Sequence, residues 1–188
     1  MRSLLLAGGK SSRMGKDKAL IEIDGECCIS RISNALYSSN RNPVRIAVSN
    51  TECIKEYSKV INPEIDIEWV VDSNQYAGPI ESITENLEDS NFIKEDFIQL
   101  STVDVPWITS DLFDCLKDSI KMEDDLIMPT DGQNIHPLLS LIRPEPVLNK
   151  LRKGSKRPLS VQFCEINYSL YQGDLKILKN INYLQDIE

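Results

Sequence analysis

The stretch LLLAGGKSSRMGKDKAL, Leu4–Leu20, starts like a buried strand and ends like a cationic loop. The apolar run stops at Gly8 and Gly9. Residues without a Cβ let a ligand approach the backbone closely, and successive amide N–H groups in such a turn form an anion-binding nest. Lys10, Arg13, Lys16 and Lys18 set four cations against one acid, Asp17. That combination suits a polyphosphate. A glycine turn leading into a solvated basic helix would leave the same local pattern, so the loop by itself keeps both readings open. Two familiar phosphate motifs are excluded. Five residues separate Gly9 from Gly15 where a P-loop has four, Asp17 stands where a P-loop has Ser or Thr, and no G-x-G-x-x-G occurs.

Outward from this loop the chain alternates short β-branched runs with segments of helical spacing, the pattern of βα units on a parallel sheet. Strands are expected at Leu4–Leu6, Val44–Ser49, Ile67–Val71 and Asp96–Ser101, and further ones in DLIMP and PLLSLIR. Helical stripes run through Ile29, Ile32 and Leu36, through Ile80, Ile83 and Leu87, through Leu112, Cys115, Leu116 and Ile120 with Thr109 or Ser110 as cap, and through Val147, Leu148 and Leu151. The expected architecture is an α/β three-layer fold, a mostly parallel central sheet with helices on both faces, in a single domain over 1–188. Four polar segments begin at expected strand ends: the Gly8 loop, Ser49–Asn50, Asp72–Asn74 and Thr102–Pro106. Ligands of open α/β sheets bind outside the carboxyl ends of the strands, so this convergence marks the candidate site.

Composition narrows the function classes. The 188 residues are 41% hydrophobic and 27% charged, a globular balance, and the formal net charge is −8. An acidic chain is a poor general binder of nucleic acid or of a membrane surface, so no nucleic-acid or membrane partner is expected. The amino-terminal apolar run breaks too early for a signal or a span. Five cysteines, odd in number and without a C-x-x-C pair, form neither a disulfide framework nor a zinc pattern. They point to a reducing, cytoplasmic setting.

LAGGKSSRMGKDKAL resembles the signature of the small nucleotidyltransferases, L-A-G-G-x-S-x-R-M-G-x-D-K, in the form found in the molybdenum cofactor guanylyltransferases of the MobA type. The resemblance extends more loosely through DSNQYAGPIESI, TVDVP, HPLLSL, GSKRPL and NINYLQDI. It implies a Rossmann-like nucleotidyltransferase fold. It further implies transfer of GMP from GTP to the terminal phosphate of the molybdopterin-bound molybdenum cofactor, with release of pyrophosphate and with Mg²⁺ as cofactor. Other cofactor-biosynthesis proteins or apo-molybdoenzymes are conceivable partners. A cytidylyltransferase for the same cofactor, a transferase acting on another phosphorylated small molecule, and a nucleotide-binding adaptor without catalysis are the competing readings.

Carried over residue by residue, Leu6, Ala7, Gly8 and Gly9 would wrap the nucleotide, and Arg13 and Lys18 would neutralise its phosphates as catalytic residues. Asp104, after the apolar strand in LSTVDVPWI, would be a catalytic, nucleotide-binding metal ligand, although an Asp at a strand exit can also cap a turn. Asn50 and Asp72 would contact the nucleotide; each would equally serve as a turn residue. Lys156 and Arg157, after the Gly154 turn, would face the acceptor together with Asn180 and Asn182. Basic residues at a helix end that complement the helix dipole would look the same. The chain departs from the pattern at Glu81 and Ser82, where the family has small residues, at Val103, and at Tyr183–Leu184. His136, without Cys or His partners, suits a structural or acceptor-positioning role better than a zinc site.

Overall fold

The computed structural model of the protein describes residues 1–9, 17–154 and 156–187. In chain order its regular elements begin with β1 (Arg2–Leu6), the short hairpin β2 (Glu22–Ile23) and β3 (Glu26–Cys27), α1 (Cys28–Ser38), β4 (Val44–Val48) and α2 (Thr51–Tyr57). They continue with β5 (Ile67–Val71), α3 (Pro79–Leu87), β6 (Ile98–Thr102), α4 (Ser110–Ser119) and β7 (Leu126–Thr130). The last are β8 (Leu141–Ile142), α5 (Pro144–Leu151), α6 (Leu159–Phe163) and β9 (Tyr168–Gln172). Single 3-10 turns cover Lys18–Leu20, Phe92–Lys94, Pro137–Leu139 and Leu184–Ile187.

Among the described residues, seven strands form the central sheet in the order β5-β4-β1-β6-β8-β7-β9. β1 lies parallel to both β4 and β6, β4 is parallel to β5, and β7 is parallel to β9; β8 runs antiparallel to β6 and β7. The chain leaves β1 towards β4 and β5, then returns to the other side of β1 at β6. The switch point of the sheet therefore lies between β1 and β6.

Alternation along β1 shows why this is a three-layer core. Leu5 packs with Ile29, Ile32 and Leu36 of α1, with Tyr57 of α2 and with Leu112 and Phe113 of α4. Leu4 and Leu6 point the other way, into Ile83 and Leu87 of α3, Val147, Leu148 and Leu151 of α5, and Phe163 of α6. A strand buried on both faces reads as a continuous apolar run, as LLL does. At the amino-terminal edge of the sheet Arg45 pairs with Glu68 at 2.7 Å and stacks over the Phe92 ring, 4.1 Å from its centroid, so β4 and β5 are tied together far from the strand ends that matter.

The mostly parallel α/β architecture expected from the sequence is present. Local expectations needed correction. PLLSLIR is not one strand: Pro137 fixes φ and lacks an N–H, residues 137–139 wind into a 3-10 turn, and only Leu141–Ile142 joins the sheet, antiparallel. The α4 helix ends at Ser119, so Ile120 is its C-cap rather than part of its face. No helix among the described residues is long and apolar enough to cross a membrane. The five cysteines are unpaired thiols.

Candidate functional site

The site is built on the carboxyl ends of β1, β5 and β6. Ala7 extends the ladder of β1, its N–H donating to Ala47 O at 2.9 Å. Gly8 follows at a point of close approach. A Cβ there would lie 2.6 Å from Asp72 Oδ2 and 3.4 Å from Ser49 N, so glycine is the residue that lets the β1 exit lie against the β5 exit.

Asp72 leaves β5 with its N–H bonded to Val48 O at 2.9 Å, and Ser82 Oγ donates to its Oδ1 at 2.7 Å. Burial pushes its carboxyl above the usual range; the Ser82 hydrogen bond opposes this, and Glu85 and Glu81 push further upward. Both glutamates come from α3. Gly78, at φ 103°, turns the chain into that helix and Pro79 occupies its first turn. A positive φ favours glycine, and proline suits the first turn of a helix. Glu85 accepts from the backbone N–H and hydroxyl of Ser73, and Glu81 accepts from Asn74 Nδ2. Glu81 is therefore compatible with its place: it sits in the first helical turn, where negative charge is favoured, and is held by Asn74.

Asp104 leaves β6. Its backbone oxygen accepts from Ile181 N at 2.7 Å, and its N–H reaches Thr102 Oγ1 at 3.4 Å. The carboxylate is directed at Lys18, whose Nζ lies 3.0 Å from Oδ1; the two side chains are 17% and 40% exposed, Lys18 the more buried. Lys18 opens the 3-10 turn that follows Asp17. Asp17 caps that turn through Oδ1, which accepts from Ala19 N at 3.0 Å, and its Oδ2 accepts from Tyr57 OH at 2.6 Å. Burial first, and then Asp17, push the Tyr57 phenol well above its usual range, so it stays a donor.

Between these exits lies a cleft of about 250 Å³. Leu6, Gly8, Gly9, Asp72 and Asp104 line it together, as do Gly78, Pro79, Glu81 and Ser82 at the α3 entry. Ala7, between Leu6 and Gly8, is buried and does not line it. Asn50 does not line the cleft: it is the N-cap of α2, its Oδ1 accepting from Cys53 N at 3.0 Å. Arg13 lies outside the described residues. Lys156 is exposed, and Arg157 pairs with Glu165, Nη2 to Oε2 at 2.7 Å. Asn180 and Asn182 are exposed on the tail either side of buried Ile181, and Asn182 N donates to Asp186 Oδ2 at 2.7 Å. None of these four lines the cleft. His136 Nε2 lies 3.3 Å from Asp131 Oδ2, next to the turn whose Leu138 does line it. Sequence reasoning missed Tyr57, Tyr76, Glu85 and Leu138. For Tyr57 the available signal was its i+4 spacing from Cys53 after a capping Asn.

Asp72, Glu81, Glu85 and Asp104 bring four carboxylates to the wall of a cleft that is otherwise largely apolar. Among the described residues no group of three or more His, Cys, Asp or Glu side chains is arranged to hold a metal. Mg²⁺ needs no such cluster: one carboxylate, such as Asp104, is enough when phosphate oxygens and waters complete its shell.

A family model described as the MobA-like NTP transferase domain matches residues 3–162. The molybdenum cofactor guanylyltransferase of Vibrio atlanticus (strain LGP32) is 28% identical over 190 residues, covering 98% of this chain and 92% of its own. That of Haemophilus influenzae (strain 86-028NP) is 28% identical over 194 residues, covering 99% and 95%. The crystal structure of molybdopterin-guanine dinucleotide biosynthesis protein A from Archaeoglobus fulgidus superposes with a TM-score of 0.74 at 19% identity, covering 100% of this chain and 95% of that one. At that identity the likeness speaks to the fold.

Proposed function

The chain belongs to the MobA-like NTP transferase domain family, and from that premise we propose that it transfers GMP from GTP to the molybdopterin-bound molybdenum cofactor, releasing pyrophosphate. The observation that carries this reading is the meeting of Gly8–Gly9, the half-buried carboxylate of Asp72 and Asp104, itself paired with Lys18, around one cleft at the sheet's switch point. The similar guanylyltransferases supply the acceptor class.

Each part has a task in such a transfer. The backbone at Gly8–Gly9 lets the nucleotide lie against the end of β1. The Asp72 carboxylate is an acceptor, and the Watson–Crick edge of guanine presents two adjacent donors, N1–H and N2–H₂. Cytosine presents one donor and an acceptor at the corresponding positions, so a carboxylate wall favours guanine. Lys18 neutralises phosphate charge, a role Arg13 shares on the strength of the signature. Asp104 would hold Mg²⁺, which when bound supplies Lewis-acid neutralisation of the triphosphate. An acceptor phosphate oxygen attacks the α-phosphorus; the new P–O bond forms as the bond to the β-phosphate oxygen breaks, and pyrophosphate carries away the electron pair. Positioning and charge neutralisation do the work of phosphoryl-type transfer, and no covalent enzyme intermediate is required.

The test is pyrophosphate release by the purified protein with the molybdenum cofactor as acceptor and GTP, CTP or UTP as donor, at matched Mg²⁺. Release that depends on the acceptor and prefers GTP is expected. Preference for CTP would replace the guanylyl reading with its cytidylyl sibling. GTP binding without pyrophosphate release would leave a nucleotide-binding adaptor.

A further inference from the structure

We propose that Tyr57 is a positioning residue for the nucleotide site, acting on Lys18 through the carboxylate of Asp17. The inference rests on the nucleotidyltransferase reading above and adds a residue from outside the cleft.

Three observations carry it. First, Tyr57 is the side chain that α2 buries, 1% exposed and packed in the layer that also holds Leu5, Ala7, Ala19 and Val48. Its ring is fixed by the core beneath β1 and β4. Secondly, its hydroxyl donates to Asp17 Oδ2 at 2.6 Å, with the Cys53 thiol as its other polar neighbour. Phenylalanine would fill the same volume, so packing alone does not call for the oxygen. Thirdly, the two oxygens of Asp17 are divided between two tasks. Oδ2 takes the tyrosine and Oδ1 takes Ala19 N–H, the capping bond of the turn that starts at Lys18. A carboxylate held at one oxygen can pivot; one held at both is fixed in plane.

A chain of contacts thus runs from the core through Tyr57 and Asp17 to Lys18, and from Lys18 Nζ to Asp104, which lines the cleft. Lysine carries its charge on a flexible four-carbon stem, so the start of that stem must be fixed if the ammonium is to meet a phosphate with little loss of rotamer freedom. The same helix also bears on the other exit: its N-cap Asn50 adjoins Ser49, whose backbone N is the second neighbour of a Cβ built on Gly8. The β4–α2 unit therefore borders Gly8, just before residues 10–16, and holds the Asp17 side chain just after them.

The experiment is a double-mutant cycle read as nucleotide affinity, with Mg–GTP, Mg–CTP and Mg–UTP titrated by calorimetry into wild type, Tyr57→Phe, Lys18→Ala and the double variant. A hydrogen bond to a charged group is worth roughly tenfold or more in an equilibrium, so Tyr57→Phe is expected to weaken binding of the preferred triphosphate about 10-fold. In the Lys18→Ala background the same change is expected to cost less than about 2-fold, because coupled residues are non-additive. Asp17→Asn, which keeps the tyrosine ring in the core, is expected to reproduce the loss. Equal losses in both backgrounds, following the melting temperature, would show a merely structural tyrosine and overturn the proposal, as would unchanged affinity in Tyr57→Phe. If CTP or UTP binds in preference to GTP, the guanylyl reading fails while the coupling still decides the role of Tyr57. If wild type binds none of the three, both fall.

Discussion

Gly8 and Asp72 occupy each other's space: a Cβ on residue 8 would stand 2.6 Å from Asp72 Oδ2, although the two residues follow strands separated by β4. Ser82 holds that carboxylate from the other side, so it cannot swing away without losing a hydrogen bond. Gly8→Ala is expected to displace Asp72 and weaken GTP binding roughly 10- to 100-fold, the scale set by ångström misplacement in a site, with a drop in melting temperature no larger than the lost Ser82 hydrogen bond accounts for. In an Asp72→Ala background the added methyl has nothing to displace, and its cost should largely vanish. Full additivity in calorimetry would show that residue 8 acts on the nucleotide directly.

Asp72 carries a stability cost as well as an expected ligand contact. Its folded carboxyl is raised by burial and by Glu85 and Glu81. A carboxyl whose folded pKa lies above its unfolded value binds more protons folded than unfolded between the two, so the protein loses stability as pH rises through that window. The penalty is present at neutral pH and absent below the unfolded pKa. Asp72→Asn, which keeps an oxygen for Ser82, should therefore raise the melting temperature at pH 7, and the gain should shrink on acidification. GTP affinity of wild type should fall on acidification from a higher pH than an ordinary aspartate would give, and Asp72→Asn should flatten that limb.

The strand exits were legible in the sequence because each follows a short apolar run that ends abruptly in Gly or a carboxylate, as at Leu6–Gly8, Val71–Asp72 and Thr102–Asp104; β1 and β6 are buried, while β5 is a half-buried edge strand. The switch in neighbours that makes those exits converge was legible only as a fold class. The hidden elements share a physical reason. α2 buries Tyr57 and leaves most of its surface to solvent, so it lacks a long apolar stripe. β9 lies at the sheet edge with alternating exposure, and Tyr168 and Leu170 face outward, which mimics irregular chain. Asn50 illustrates the opposite difficulty. Its type and place fit a strand-end ligand contact, but its side chain is used to cap α2, and no local pattern separates those uses.

Lys18 and Asp104 form one charge pair, and their removal should be felt in turnover. Lys18→Ala and Asp104→Ala are each expected to lower GMP transfer by about 3–5 kcal/mol of transition-state stabilisation, in the range of losing a preorganised charge at the reacting centre. The pair is partly solvated, so neither change should unfold the protein. Chelation with EDTA should abolish wild-type turnover and added Mg²⁺ should restore it. Near-normal transfer by both variants would remove the pair from the mechanism, and metal-independent turnover would remove Asp104 as a metal ligand.

The last prediction separates support from substrate contact in the tail. Ile181 is buried with Ile21, Ile23 and Cys28, and its N–H holds the backbone oxygen of Asp104 at 2.7 Å. Asn180 and Asn182, its neighbours, are exposed. Ile181→Ala should cost about 2–5 kcal/mol of stability, the usual range for truncating a buried isoleucine, and a protein of this size should melt several degrees lower for it. Asn180→Ala and Asn182→Ala should leave the melting temperature within error, since exposed substitutions away from special features are near neutral. If the two asparagines face the acceptor, these variants will raise KM for the molybdenum cofactor and leave GTP affinity unchanged. Unaltered kinetics for the molybdenum cofactor in both variants would reduce the tail to a brace behind Asp104, and a matching loss of GTP affinity would place it on the nucleotide side instead.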